Sequence, residues 1–360
     1  MHERYAIFTV RYSVFSPSLS RSWRIGRAGQ QEYLFKLFDP ERLQMRRTTF
    51  SKITIPSLAA AIATCPQVKT EVHILTSTEL PKLDSDFLHE LANKYSFLRI
   101  FAQSPEMVSL CRETDRFCEA LSSNALVASI RIDDDDAVVS NFLSLLSEHL
   151  RPENVGHIVS MSSGYSAIGS RDGTLIGPFS YRWRFGSCGQ TLIRKSKNWT
   201  GPGCIYSAGN HMTNDERFPV IVDSREPAFL RLFHEGADTW TSAKAAYKYG
   251  EFSRSARDSF NIDKSLWIDP DLAAAEPGSA TPSDASVENL TANLEKAIVE
   301  RDKWKRIASA RRSKIACWAD CADYKIHRLF SKMSFMGDAF CERFRVAAKK
   351  RWRPGYGPSE

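Results

Sequence analysis

The chain has 360 residues, enough for one large α/β domain with an appendage or for two modest domains. Hydrophobic residues make up 42% and charged residues 25%, an ordinary globular balance, and no run approaches the roughly 20 apolar residues of a membrane-spanning helix. The net charge of +7 is concentrated at the C-terminal end: from Glu288 onward there are 17 Lys and Arg against 9 Asp and Glu, which leaves the rest at −1 and argues for a basic appendage on a body that does not bind nucleic acid.

The first five residues lead into a strand without a signal-peptide pattern. Eight cysteines are scattered with no CxxC pair, so a zinc ribbon or thioredoxin-type motif is not expected. Reduced thiols in a cytoplasmic protein are the simplest reading. Residues 6–14 read as the first strand, and a strand ending near Arg11 places a guanidinium at the sheet edge where ligands bind. Asp39 followed by Pro40 marks a helix start, with Asp39 as N-cap. Residues 71–77 form a second strand ending in Thr76 and Ser77, Lys82 to Lys94 a helix, 98–101 a third strand, 113–121 a helix, and 126–132 a fourth strand. That alternation predicts a parallel sheet with crossover helices.

After the fourth strand comes Arg131-Ile132-Asp133-Asp134-Asp135-Asp136-Ala137. The residues that follow are apolar at helical spacing, so four carboxylates are expected where a strand ends and a helix begins. Adjacent carboxylates repel and favour a counter-cation, and hard oxygen ligands suit Mg²⁺ or Mn²⁺ with substrate phosphates completing the shell. The plainer alternative is a solvated acidic turn capping the helix. Arg131 can hold a carboxylate or a phosphate.

Beyond residue 155 the pattern changes to short strands. One is expected at 155–161, then hairpin-like strands at 174–179, 181–185 and 189–194. Tyr181, Trp183 and Phe185 alternate with Arg182 and Arg184. That reads either as aromatic core with a solvated basic face or as an aromatic platform for a sugar. Residues 204–218 are a polar loop carrying His211, Asp215 and Glu216. Residues 229–234 suggest a closing helix or strand. Residues 273–286 are a linker by composition, separating a body of residues 1–272 from a basic, amphipathic helical tail of residues 287–360. The tail's aromatics flanked by Lys and Arg fit an anionic membrane surface, and an apolar stripe packing on the body or on a second copy fits equally well.

The segments Thr9-Val10-Arg11-Tyr12-Ser13, Phe50-x-x-Ile53-x-Ile55-Pro56-Ser57-Leu58, Ile74-Leu75-Thr76-Ser77-x-x-Leu80-Pro81 and the acidic run occur in an order that resembles the rhamnosyltransferase family. That family is grouped with the GT-A-type nucleotide-sugar glycosyltransferases. The resemblance spans residues 5–240. It implies an α/β, GT-A-like mixed sheet flanked by helices, and a metal-dependent transfer of a sugar, rhamnose by the family's name, to a hydroxyl acceptor.

By this resemblance the acidic run is a DxD motif. Asp133 faces the ribose and is counted with the metal ligands, Asp135 holds Mn²⁺ or Mg²⁺, Asp136 assists and Asp134 points away. His211 resembles the late histidine that completes such metal sites. Arg11, Thr76, Ser77 and Arg131 join Asp133 on the nucleotide-sugar, and Asp215 or Glu216 is the candidate base if the reaction inverts. The implied partners are a nucleotide-sugar donor and a saccharide or lipid-linked acceptor of bacterial surface polysaccharide or glycolipid synthesis. Two other classes are weighed against this: a Mg²⁺-dependent phosphohydrolase, which wants an Asp where the first strand ends in Arg11, and a non-catalytic scaffold recruiting partners through the tail.

Overall fold

A computed structural model describes residues 2–17, 30–234 and 250–270. The linker and the helical tail expected from composition lie outside the described residues, and so do the boundaries proposed for them. Among the described residues no helix is long and apolar enough to cross a membrane.

Two sheets form the body. The first has seven strands: β1 (Arg4–Arg11), β2 (Lys69–Ser77), β3 (Leu98–Gln103), β4 (Leu126–Ile132), β6 (Ile158–Met161), β9 (Thr191–Lys195) and β10 (Val220–Asp223), in the order β10-β6-β9-β4-β1-β2-β3. The second has five: β5 (Ala137–Val138), β7 (Ser163–Gly169), β8 (Leu175–Arg182), β11 (Phe229–Phe233) and β12 (Trp267–Ile268), in the order β12-β8-β7-β11-β5. The helices are α1 (Gln30–Leu37), α2 (Pro40–Thr49), α3 (Ile55–Thr64), α4 (Lys82–Lys94), α5 (Arg112–Ala120) and α6 (Phe142–Ser147). The result is the mixed α/β architecture that the sequence pattern and the resemblance imply.

The parallel block β4-β1-β2-β3 follows from local chemistry. β1 is central, paired parallel to β2 on one side and β4 on the other. Its side chains alternate between two apolar clusters, as the pleat requires. Ala6, Phe8 and Val10 join the main core with Ala128, Ile130 and Leu58, whereas Tyr5 and Ile7 pack with Val127 and Cys118. The Asp39 carboxylate accepts from the Arg42 amide at 2.9 Å with Pro40 in the first turn, so α2 starts where its cap predicts. α2 and α3 are joined by a π-helical turn, Phe50–Thr54, in which the Ile55 amide donates to the Phe50 carbonyl. Pro56 has no amide to offer, so the wider turn ends where an ordinary helix would lose a donor.

Three readings of the sequence differ from the structure. The acidic run does not enter a helix directly. Ala137 and Val138 first form β5, antiparallel to Leu230 and Phe229 of β11, and the helix begins only at Phe142. The β-branched valines and an available edge partner outweigh the helical spacing. The run at 174–194 is not a set of hairpins in one sheet. β7 pairs with β8 in the second sheet, while β9 inserts antiparallel between β4 and β6 in the first. Gly164 of β7, a strand missed in the sequence, lies where any Cβ would come within 2.6 Å of the Phe229 carbonyl oxygen. Finally, Cys111 and Cys204 form a disulfide, so the expectation of uniformly reduced thiols is corrected. Their Cα atoms lie 5.1 Å apart because α5 starts beside the loop that follows β9.

Candidate active site

The acidic turn is one of the segments that link the two sheets. β4 ends at Ile132 in the first sheet and β5 begins at Ala137 in the second, so Asp133 to Asp136 cross the gap at the carboxyl ends of β1, β4 and β11. Each aspartate meets a different environment there.

Asp133 faces the cationic side. Arg11, at the end of β1, donates to its carboxylate at 3.2 Å, and the Arg131 guanidinium lies 3.6 Å away. The Ser187 hydroxyl donates at 3.5 Å. Both guanidinium carbons lie over the Tyr206 ring, at 5.0 Å and 5.2 Å, and the Tyr206 hydroxyl donates to the Thr9 carbonyl at 3.2 Å. Burial opposes ionisation of Asp133, but Arg131 and then Arg11 outweigh it and hold the carboxyl below its usual range.

Asp135 faces the other way. Its carboxylate lies 2.8 Å from Nε2 of His234, the residue immediately after β11. Burial again works against the charge, and the His234 hydrogen bond overcomes it, so Asp135 also lies below the usual carboxylate range. His234 is buried, and its Nδ1 has no hydrogen-bond partner among the described residues.

Asp134 and Asp136 turn inward. Asp134 pairs with Arg46 of α2. Burial and the neighbouring Asp135 raise its pKa in spite of Arg46. Asp136 accepts from the Leu232 amide at 3.1 Å and so fastens the turn to β11. Burial, then Asp135 and Asp133, push it well above the usual value.

His211 begins a 3₁₀ turn, His211–Glu216, and packs edge-on to Trp183 with ring centroids 5.7 Å apart. Burial and then Arg131 hold its pKa down to about 3, so the ring is neutral around pH 7. Trp183 is half-buried and carries the Arg231 guanidinium 3.8 Å above its ring centroid. Asp215 and Glu216 are exposed on the same turn, and neither makes a hydrogen bond or ion pair among the described residues. Thr76 and Ser77 are buried at the end of β2. Ser77 Oγ accepts from the Glu79 amide at 3.0 Å, and Thr76 Oγ1 has no hydrogen-bond partner among the described residues.

The structure thus gathers Asp133, Arg11 and Arg131 at one flank and Asp135 at the other. Sequence reasoning missed Tyr206, Arg231 and His234. His234 had a usable signal, because it ends an apolar run just as Arg11 and Asp133 do. The other two are recognisable only once the second sheet and the Cys204 loop are placed.

The sequence matches the family described as "Putative rhamnosyl transferase" over residues 7–246. The chain belongs to that family. It is therefore a glycosyltransferase by family. No curated protein matches it. Among solved structures it is similar to S. aureus TarS 1-349, at 9% identity and a TM-score of 0.31, covering 82% of this chain and 71% of that one. It is also similar to the mannosyltransferase PcManGT from Pyrobaculum calidifontis in complex with GDP-Man and Mn²⁺, at 10% identity and a TM-score of 0.34, covering 99% of this chain and 89% of that one.

The residues of the turn fit a divalent cation in a limited way. No group of three His, Cys, Asp or Glu side chains is gathered for one among the described residues. Asp135 and His234 still present a carboxylate oxygen and an imidazole together, a donor set that suits Mn²⁺. Mg²⁺ and Mn²⁺ bound with a nucleotide need only one or two protein ligands, since phosphate oxygens and water complete the shell.

Proposed function

We propose that the protein transfers a sugar from a nucleotide-sugar donor to a hydroxyl acceptor, with Mn²⁺ or Mg²⁺ held at Asp135 and His234. The observation that supports this reading is the pairing of Asp135, after a strand of one sheet, with His234, after a strand of the other, beside two arginines that suit a diphosphate.

The roles follow from the partners. Arg11 and Arg131 bind phosphate oxygens, oriented by Tyr206 between them. Asp133 accepts from the ribose hydroxyls and sets the spacing of the two guanidiniums. Asp135 and His234 would hold the cation, which when bound would supply positive charge against the departing nucleoside diphosphate. Asp136 contributes by fastening the turn to β11. Trp183 offers its half-exposed ring to a sugar, with Arg231 fixing its orientation. Thr76 and Ser77 line the nucleotide end of the sheet. His211, kept neutral, adds a lone pair near Asp133. Asp215 or Glu216 takes the acceptor proton in an inverting reaction. The acceptor is a saccharide or a lipid-linked sugar of bacterial surface polysaccharide or glycolipid synthesis, and rhamnose is the donor sugar suggested by the family's description. The protein works in the cytoplasm, with its basic tail on the inner membrane face or on a second copy.

A panel of UDP-, GDP- and dTDP-sugars, assayed for release of the nucleoside diphosphate with Mn²⁺ and with EDTA, tests the reading. Release from one donor that EDTA abolishes is expected. Turnover that survives EDTA removes the cation from the proposal, and no release from any donor, with or without an added saccharide acceptor, removes the activity.

A further inference from the structure

The segment Phe50 to Leu58 is far from the acidic run in sequence, yet it touches the chain within that run and again just after it. Thr54 Oγ1 donates to the Asp134 carbonyl at 3.1 Å, and the Val138 amide donates to Ser57 Oγ at 3.3 Å. Arg46, two turns earlier on α2, takes the Asp134 carboxylate. All three contacts are buried.

Hydroxyls in a helix ordinarily bond back to their own preceding turn. Thr48, Thr49 and Ser51 do so here, to the carbonyls of Gln44, Met45 and Arg47 at 3.0, 3.1 and 2.7 Å. Thr54 does not. It is the last residue of the π-helical turn, whose wider winding changes the direction in which a side chain leaves the helix. Ser57 then bonds back to the Thr54 carbonyl at 2.8 Å, so the two hydroxyls share one rigid frame.

We propose that Thr54, Ser57 and Arg46 are positioning residues that clamp the acidic turn from behind, so that Asp133 and Asp135 present their carboxylates to opposite flanks of the site. Arg46 takes up the Asp134 carboxylate, one of the two that face inward. Thr54 and Ser57 fix the backbone on either side of Asp135. The π-helical turn set by Pro56 aims Thr54 at the turn. This assignment rests on the functional reading above only for its consequence in catalysis. The clamp itself is a matter of backbone geometry.

The test uses the full chain with Thr54→Val, which keeps the β-branched shape and loses the donor, and with Thr54→Ser, which keeps the donor. Two readouts are taken: amide hydrogen exchange over residues 133–138 without metal, and steady-state kinetics on the donor identified above with Mn²⁺. In Thr54→Val, faster exchange at 133–138 is expected, with kcat down about tenfold to a hundredfold and KM for the donor near wild type. Thr54→Ser restores both. Unchanged exchange in Thr54→Val overturns the clamp, and faster exchange with wild-type kcat overturns its part in the reaction. If the wild-type protein releases nucleotide from no donor, the functional reading fails, and the exchange arm still decides the clamp.

Discussion

Asp133 and Asp135 are two residues apart, chemically identical, and placed in opposite surroundings. Asp133 sits among Arg11, Arg131 and Ser187, all on or beside the first sheet. Asp135 meets His234, supplied by the second sheet. Between and after them, Asp134 and Asp136 face inward and are taken up by Arg46 and the Leu232 amide. The contrast shows that a run of one residue type acquires distinct roles from whatever each neighbouring strand end supplies. A carboxylate already held by two guanidiniums is a poor site for a cation but a good spacer for a diphosphate. A carboxylate held by one imidazole keeps oxygen lone pairs free for a metal.

The largest effect that separates the two flanks is expected from Asp135→Asn. On the proposed reading it removes a charge from the residue that would hold the cation, so kcat is expected to fall by about a hundredfold or more, with no rescue by excess Mn²⁺. Asp133→Asn is expected to act on the other kinetic parameter. On the proposed roles the two arginines would remain for the phosphates and the ribose contact would weaken, so donor KM is expected to rise by about tenfold, worth about 1.4 kcal/mol. Steady-state kinetics on both variants decide the matter. Equal losses in kcat with unchanged KM would merge the two flanks into one site.

The histidines sharpen the same distinction. His234→Ala is expected to raise the Mn²⁺ concentration for half-maximal activity by about 10- to 100-fold. His211→Ala is expected to shift it less, because His211 packs on Trp183 rather than on the metal-side carboxylate. Mn²⁺ titrations of the two variants compare them directly. A larger shift for His211 would move the cation to the Asp133 flank.

The two sheets were unequally legible. β1 to β4 are joined in chain order by helical crossovers, so each strand shows as an apolar run, and Asp39 with Pro40 marks the start of α2. Arg11, Arg131 and Asp133 were readable because strand ends on one edge of a parallel sheet converge. The second sheet draws strands from residues 137 to 268, and its pairings are non-local. β5 has two residues and no pattern of its own, and it exists because β11 offers an edge. β9 reads like the preceding β8 but pairs in the other sheet. His234 was therefore invisible as a partner of Asp135 even though its position at a strand end was plain. Tyr206 was equally hidden, because the loop that carries it is placed beside the arginines by non-local contacts, among them the Cys111–Cys204 link and the Ile205 amide, which donates to Ser129 Oγ at 3.1 Å.

The smallest effect comes from a control carboxylate. Asp223 ends β10, three strands from β4 on the same sheet edge, and has both kinds of partner at once. Arg225 bonds its carboxylate at 2.7 Å, and His149 Nε2 lies 2.8 Å from it. Arg225 lowers its pKa most; burial opposes this and His149 adds to the lowering, so Asp223 falls below the usual carboxylate range. A depressed folded-state value means that the interaction stabilises the protein above the unfolded carboxylate pKa of about 3.9. That stabilisation is lost as pH falls through the lower folded value. Arg225 is 60% exposed, so solvent screens the pair and the gain is small. Asp223→Asn is therefore expected to lower Tm by a few degrees at most at pH 7. The gap from wild type should begin to narrow as pH drops below about 4, and donor turnover should stay unchanged. Thermal melts from pH 3 to pH 8 measure it. A loss of turnover in Asp223→Asn would show that arginine and histidine partners on a carboxylate mark a working site at this edge wherever they occur, and the distinction between the Asp133 and Asp135 flanks would lose its basis.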